Sequence, residues 1–154
     1  MNEAQEGVES QFSRINSLGY KFYRLAQLFA QALDQRLGAH GVSVGQFRLL
    51  LVLWEQEQLT QAEIAHYLGI EQPTVARTLE RMERDGLIKT MAHPTDGRRT
   101  LISLTERGRI LKEPLTKEAQ TINQVAVKGF SIEEIVQLHK ALDSLTHALM
   151  KEKG

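Results

Sequence analysis

The chain contains no cysteine, which excludes disulfide cross-links and any sensing of oxidants through a reactive thiol. It has no run of about 18 apolar residues, so no stretch reads as a membrane span. The acidic N-terminus lacks the apolar core of a secretory signal, and the expectation is a cytoplasmic chain. No glycine-rich phosphate loop, nucleophile elbow or paired-carboxylate motif occurs, so an enzyme reading has nothing to build on and no cofactor is expected. A surplus of charge is missing too, with 19 basic and 19 acidic side chains. What is present is ordinary for a globular protein, at 42% hydrophobic and 25% charged residues. A length of 154 residues fits one domain, residues 1–154, with a substantial core.

The zero net charge hides a segregation. Residues 1–71 carry 5 basic and 8 acidic side chains, residues 72–109 carry 8 and 5, and residues 110–154 carry 6 of each. Local sign governs contact with a phosphate backbone, so the middle segment is where a polyanion would be met.

That segment begins with punctuation. Thr60 followed by Glu63 is a capping box that should open a helix carrying Ile64, Ala65 and Leu68 inward. Gly69 ends it, since glycine enters the left-handed conformation without steric cost. Pro73 suits the first turn of a second helix, where its missing N–H is not needed. Val75, Leu79 and Met82 share one face of that helix, and Thr74, Arg77, Arg81 and Arg84 another. Two helices joined by a tight turn, the second basic on its free side, make a helix-turn-helix.

A hairpin follows. Gly86 closes the second helix, and Leu87 to Met91 reads as a strand. His93-Pro94-Thr95-Asp96-Gly97-Arg98-Arg99 reads as a turn-rich tip, and Thr100 to Leu104 as the returning strand. Helix-turn-helix plus hairpin is a winged helix over residues 43–105. The run Asp96-Gly97-Arg98-Arg99, with Leu104-Thr105 five residues on, resembles the D-x-R…L-T wing signature of the MarR family of transcription regulators. Gly69-Ile70-Glu71-Gln72-Pro73-Thr74 with Arg77-Thr78-Leu79 is similar to the recognition helix of its SlyA branch. The resemblance implies a DNA-binding regulator, usually a repressor, and not an enzyme. Family members that sense peroxides by cysteine oxidation are poor templates for a chain without cysteine.

Individual roles follow from position. On their own, Arg77, Arg81 and Arg84 would suit a solvated face, with Glu80 and Arg84 spaced for an i, i+4 pair. After a helix-turn signal and before an arginine-tipped hairpin they read as DNA contacts. Arg77 lies one turn from the helix start, where arginine can pair with guanine O6 and N7. Gln72, Pro73 and Thr74 begin the helix beside it, Thr74 and Thr78 suit phosphate or thymine methyl, and Arg81 suits phosphate. In the tip, the Asp96 carboxylate can pair with Arg98 and hold it extended for a narrow minor groove, with Arg99 beside it. The resemblance implies the minor-groove role for Arg98.

Outside this core the chain is amphipathic. Phe12, Ile15, Leu18, Phe22, Leu25, Phe29, Leu33 and Leu37 recur every three or four residues, predicting a helix over 12–37. Residues 1–10 are polar, acidic and expected to fray. Ser43 with Gln46 opens the first helix of the core, through Phe47, Leu50, Leu51 and Trp54. After the wing, Thr105 caps a helix running towards Val127, with a kink expected at Pro114. Gly129 ends that helix. Ser131 with Glu134 then opens the last helix, striped by Ile132, Ile135, Leu138, Leu142, Leu145 and Leu149. Long apolar stripes on terminal helices, 12–37 and 106–150, predict an intertwined two-fold dimer. The expected partners are therefore a second copy and a pseudo-palindromic DNA duplex, with no membrane.

The resemblance also implies a pocket for a small aromatic effector where the terminal helices meet the core. Ser43, Phe47 and Leu51 would form its near side, where SlyA-like proteins tend to carry larger or more polar residues. The alternative is that Phe47 and Leu51 belong to the core. Two other functions stay open. His139, Asp143 and His147 are spaced i, i+4, i+8 and would serve a metal-responsive regulator if they converged, although they lie on the ordinary polar flank of their helix. A winged helix can also be a protein-interaction module, against which stands the basic charge of wing and recognition helix.

Overall fold

The computed structural model describes residues 13–153. Within them, seven helices and one two-stranded antiparallel sheet follow in the order α1 (Leu18–Gly38), α2 (Val44–Glu55), α3 (Gln61–Leu68), α4 (Gln72–Arg84), β1 (Ile88–Ala92), β2 (Thr100–Leu104), α5 (Glu106–Ile110), α6 (Lys112–Ala126) and α7 (Ile132–Glu152). The described residues up to Ala119 form one compact unit, and those from Gln120 a second.

Capping decides most boundaries. The side chains of Ser43, Thr60 and Ser131 each accept from the amide three residues on, and the Gln or Glu there reaches back to the cap amide. All three boxes expected from the sequence are present, each satisfying two otherwise unpaired donors. The first helix differs from expectation. Its start is Leu18, capped by the Ser17 hydroxyl, and Asn16 and Ser17 donate back to the Ser13 carbonyl in a separate turn. Polar caps and Gly19 thus shorten the apolar repeat at its front, whereas Phe12 lies outside the described residues. The helix after the wing also departs from the sequence reading. It is broken between Ile110 and Lys112, not bent at Pro114. Pro114 has no N–H to offer the carbonyl four residues back, which belongs to Ile110, and its ring crowds that carbonyl. The chain resolves this by ending α5 there and using Pro114 in the first turn of α6.

The core of the first unit gathers Leu37, Phe47, Leu50, Leu53, Ile64, Val75, Met82, Leu87, Leu104 and Leu115, all nearly inaccessible. It lies beneath α2, α3, α4 and the hairpin, where Ile88 pairs with Leu104 and Thr90 with Ile102. Ile102 also exchanges two backbone hydrogen bonds with the segment before α3: its amide donates to Leu59 and its carbonyl accepts from Gln58. The hairpin is thereby laced to the helix-turn-helix. Behind it, the Trp54 indole donates to the Gly108 carbonyl at 2.9 Å. Gly108 has no room for a side chain, because a Cβ there would lie 2.2 Å from the Leu87 carbonyl oxygen.

The terminal helices present apolar surface. In α1 only Leu37 is buried, and Phe22, Leu25 and Leu28 are exposed. In α7 no residue is buried; of its expected stripe only Ile135 is half-buried, while Leu138, Leu142, Leu145 and Leu149 are open. Among the described residues no helix is long and apolar enough to cross a membrane.

Candidate nucleic-acid interface

Helix α4 is held by its apolar face, where Val75, Leu79 and Met82 are buried. Gln72, Pro73, Thr74, Arg77 and Arg81 are exposed on its other side. Helix α3 packs against α4 through a tight turn closed by Gly69 at φ +62, where a side chain would be strained. The turn is also bridged by Gln61, whose amide donates to the Gln72 carbonyl at 3.4 Å, a contact the sequence pattern did not single out. Thr78 is half-buried and its hydroxyl donates to the Thr74 carbonyl at 2.9 Å. Its donor is therefore engaged within the helix. Arg84 faces Asp85 at 3.6 Å and not Glu80.

The tip differs in mechanism from the sequence reading. Asp96 does not pair with the guanidinium of Arg98; its Oδ1 accepts from the backbone amide of Arg98 at 3.1 Å. A short carboxylate reaches an amide two residues on more readily than the end of a long side chain, which is the ordinary Asx turn. Arg98 is thus presented by its backbone, and its side chain has no protein partner among the described residues. Neither do Arg77 and Arg81. Arg99 behaves otherwise, turning back to α3 where its guanidinium lies 3.8 Å from Glu63. Glu63 also accepts from the amide and hydroxyl of Thr60, at 2.7 and 2.8 Å. The Thr60 amide, with help from the Thr60 hydroxyl and Arg99, holds its carboxyl below the usual carboxylate range. Glu63 therefore joins the N-terminus of α3 to the wing.

Supports for this surface lie behind it. Gln46 donates to the Asp85 carboxylate at 2.7 Å, Arg107 donates to the Asp85 carbonyl, and Thr105 donates to the Gly86 carbonyl at 2.6 Å. Arg109 grips Glu57 with two hydrogen bonds of 3.0 and 2.9 Å, which holds the Glu57 carboxyl low. The C-terminal end of α1 is tied to α6 by Arg36 and Glu118, 2.8 Å apart.

The expected effector residues separate. Phe47 and Leu51 line a cleft of 390 Å³ between α1 and α2, with Phe22, Leu25 and Phe29 opposite. Phe47 is also a core residue, whereas Leu51 is 38% exposed. Ser43 is not on the lining; its hydroxyl caps α2. Arg48, which the pattern did not single out, is the one charged residue among the described residues of the lining. His139, Asp143 and His147 are exposed along α7, and among the described residues no three metal-ligating side chains converge.

Comparison with known proteins places this geometry. The sequence model described as "MarR family" matches residues 42–100. The organic hydroperoxide resistance transcriptional regulator of Bacillus subtilis (strain 168) is 32% identical over 145 residues, covering 92% of this chain and 97% of that protein. A crystal structure of the S. aureus MepR–DNA complex is 30% identical with a TM-score of 0.80, covering 86% of this chain and 98% of that one. The structure of the transcriptional regulator SlyA is 27% identical with a TM-score of 0.76, over 85% and 95% of the two chains. SlyA is not set apart from MepR by these values.

Proposed function

Because the chain belongs to the MarR family of transcriptional regulators, we propose that it works in the cytoplasm as a homodimeric repressor on a pseudo-palindromic duplex, released by a small aromatic effector. The observation that carries the DNA reading is the trio Arg77, Arg81 and Arg98. All three guanidiniums are exposed and without protein partners among the described residues, on a face buttressed from behind. Unpaired arginines on a rigid scaffold are suited to phosphate and guanine, which take the guanidinium fork with two hydrogen bonds. The S. aureus relative in complex with DNA supports the same reading.

In this reading residues 12–37 and 106–150 supply the dimer contacts and 43–105 the DNA contacts. Gln72, Pro73, Thr74, Arg77, Thr78 and Arg81 enter the major groove, and Arg98 the flanking minor groove, with Asp96 shaping the tip and Arg99 bracing it. The exposed stripes of α1 and α7 would be covered by a second copy, as apolar patches of this kind ordinarily are. An effector in the α1–α2 cleft would meet an apolar wall with one cation, Arg48, which favours an amphipathic anion such as an aromatic carboxylate. A ligand there acts by its differential affinity for dimer shapes with different spacing of the two recognition helices. Thiol oxidation is not available as a trigger, despite the hydroperoxide-related name of the B. subtilis relative, since the chain has no cysteine.

Selecting the preferred duplex from a random pool tests the central claim. The expected product is an inverted repeat with half-sites about one helical turn apart. A single asymmetric site, or no enrichment, would overturn the dimeric operator reading. Adding aromatic carboxylates to the selected complex then tests release, with Arg48→Ala expected to lose it.

A further inference from the structure

The wing tip is closed by a histidine. A backbone N–H can only donate, so His93 Nδ1, 3.3 Å from the Thr95 amide nitrogen and 3.2 Å from that of Asp96, accepts from both. The Thr95 hydroxyl lies at 3.3 Å from the same atom. An imidazole nitrogen accepts only through an unprotonated lone pair, which fixes the neutral ring with its hydrogen on Nε2. The rest of the tip depends on this arrangement. Asp96 Oδ1 accepts from the Arg98 amide, the Asp96 carbonyl accepts from the Arg99 amide, and the Arg99 carbonyl accepts from the His93 amide. His93 therefore holds Asp96, and Asp96 holds the backbone from which Arg98 projects.

We propose that His93 is a positioning residue for DNA binding: its neutral imidazole holds the turn that presents Arg98, and its protonation releases that turn. The proposal rests on the DNA-binding reading above. Protonated Nδ1 would aim an N–H at two amide N–H groups, so both bonds are lost together. The order of the tip is therefore tied to the neutral ring. The carboxylates beside His93 are Glu63 of α3 and Asp96 of the tip, and Glu63 is itself paired with Arg99. A carboxylate attracts an imidazolium but does not restore the lost lone pair.

Two variants separate the roles of His93. His93→Asn places an amide oxygen near the position of Nδ1, able to accept the same amides without titrating. His93→Ala removes the acceptor. In the free full-length protein followed by NMR between about pH 8 and 5.5, the Thr95 and Asp96 amide resonances should move together with those of the His93 ring. In His93→Asn they should stay still over that range. On the selected duplex at constant ionic strength, wild-type affinity should fall about two- to tenfold from pH 8 to 5.5, as for the loss of one or two hydrogen bonds. His93→Asn should keep the pH 8 affinity throughout, and His93→Ala should be weak at both ends. Amides that ignore the His93 titration, or a His93→Asn variant with the wild-type pH profile, would overturn the proposal. Absence of duplex binding by every form, with the amides still titrating, would overturn the DNA-binding reading and leave the histidine-held turn standing.

Discussion

At the scale of single residues, exposed arginines divide by what holds them. Arg77 has no partner among the described residues and lies on the helix proposed to meet bases, so Arg77→Ala should cost about 1–3 kcal/mol of binding and relax preference within each half-site. Arg98 would meet a groove whose base pattern is degenerate, so Arg98→Ala should weaken many duplexes alike and flatten the salt dependence. A binding series over salt on operator and scrambled duplexes distinguishes the two patterns; wild-type behaviour of Arg98→Ala would remove the wing from the interface. Asp96 refines this prediction. Because it accepts from an amide, Asp96→Asn should retain wild-type binding while Asp96→Ala shares the Arg98 defect. Equal loss in both would restore the charge-pairing role read from the sequence. The residue types and their order were legible in advance. The partners of Asp96, Arg99 and His93 were not, because they depend on the path of a seven-residue turn and on Glu63, thirty or more positions away.

At the scale of elements, the capping boxes and the helix-turn-helix could be read directly, since each is a local pattern with a local physical cause. The split of α5 from α6 was only half legible. Proline announces a disturbance, but whether the helix bends or stops depends on what packs around it. Gly108, next to that break, gives an element-level test. Gly108→Ala should destabilise the fold by about 3 kcal/mol or more, since its Cβ would collide with the Leu87 carbonyl. Gly38→Ala, with open space around it, serves as the control in denaturant unfolding. Equal stability of the two variants would show that the wing and α5 are less tightly apposed. The capping carboxylate of α3 carries a pH signature. Glu63 is held below its usual range chiefly by the Thr60 amide, so the folded state binds that proton less well than the unfolded chain. Its stabilisation is complete above the ordinary carboxylate range and disappears as pH falls through the lowered value. Glu63→Gln should therefore shallow the acid limb of the stability curve, measured as urea midpoints between about pH 6 and 3. An unchanged slope would assign the acid sensitivity to Glu57 and Glu118, the other carboxylates held low by arginine.

At the scale of the whole molecule, the apolar helices dominate. No residue of the 21-residue α7 is buried despite leucines along its length, as the proposed dimer would require. Leu142→Asp or Leu145→Asp should give monomer or unfolded chain, because a buried unpaired charge costs several kcal/mol. Sedimentation velocity measures this, and a wild-type protein that runs as a monomer at micromolar concentration would end the dimer reading. Operator affinity should fall together with dimerisation, since two half-sites on one particle act at high effective concentration.

The joint around Trp54 has an optical consequence. It is the one tryptophan in the chain, its indole is bonded to the Gly108 carbonyl beside the wing, and its ring meets Phe47 edge-on with centroids 6.0 Å apart. Phe47 in turn forms part of the cleft wall. The chain thus contains a single tryptophan wired between the cleft and the back of the DNA-facing unit, and it can be excited selectively over the three tyrosines. Its emission should register occupancy of one and displacement of the other, in unlabelled protein and in real time.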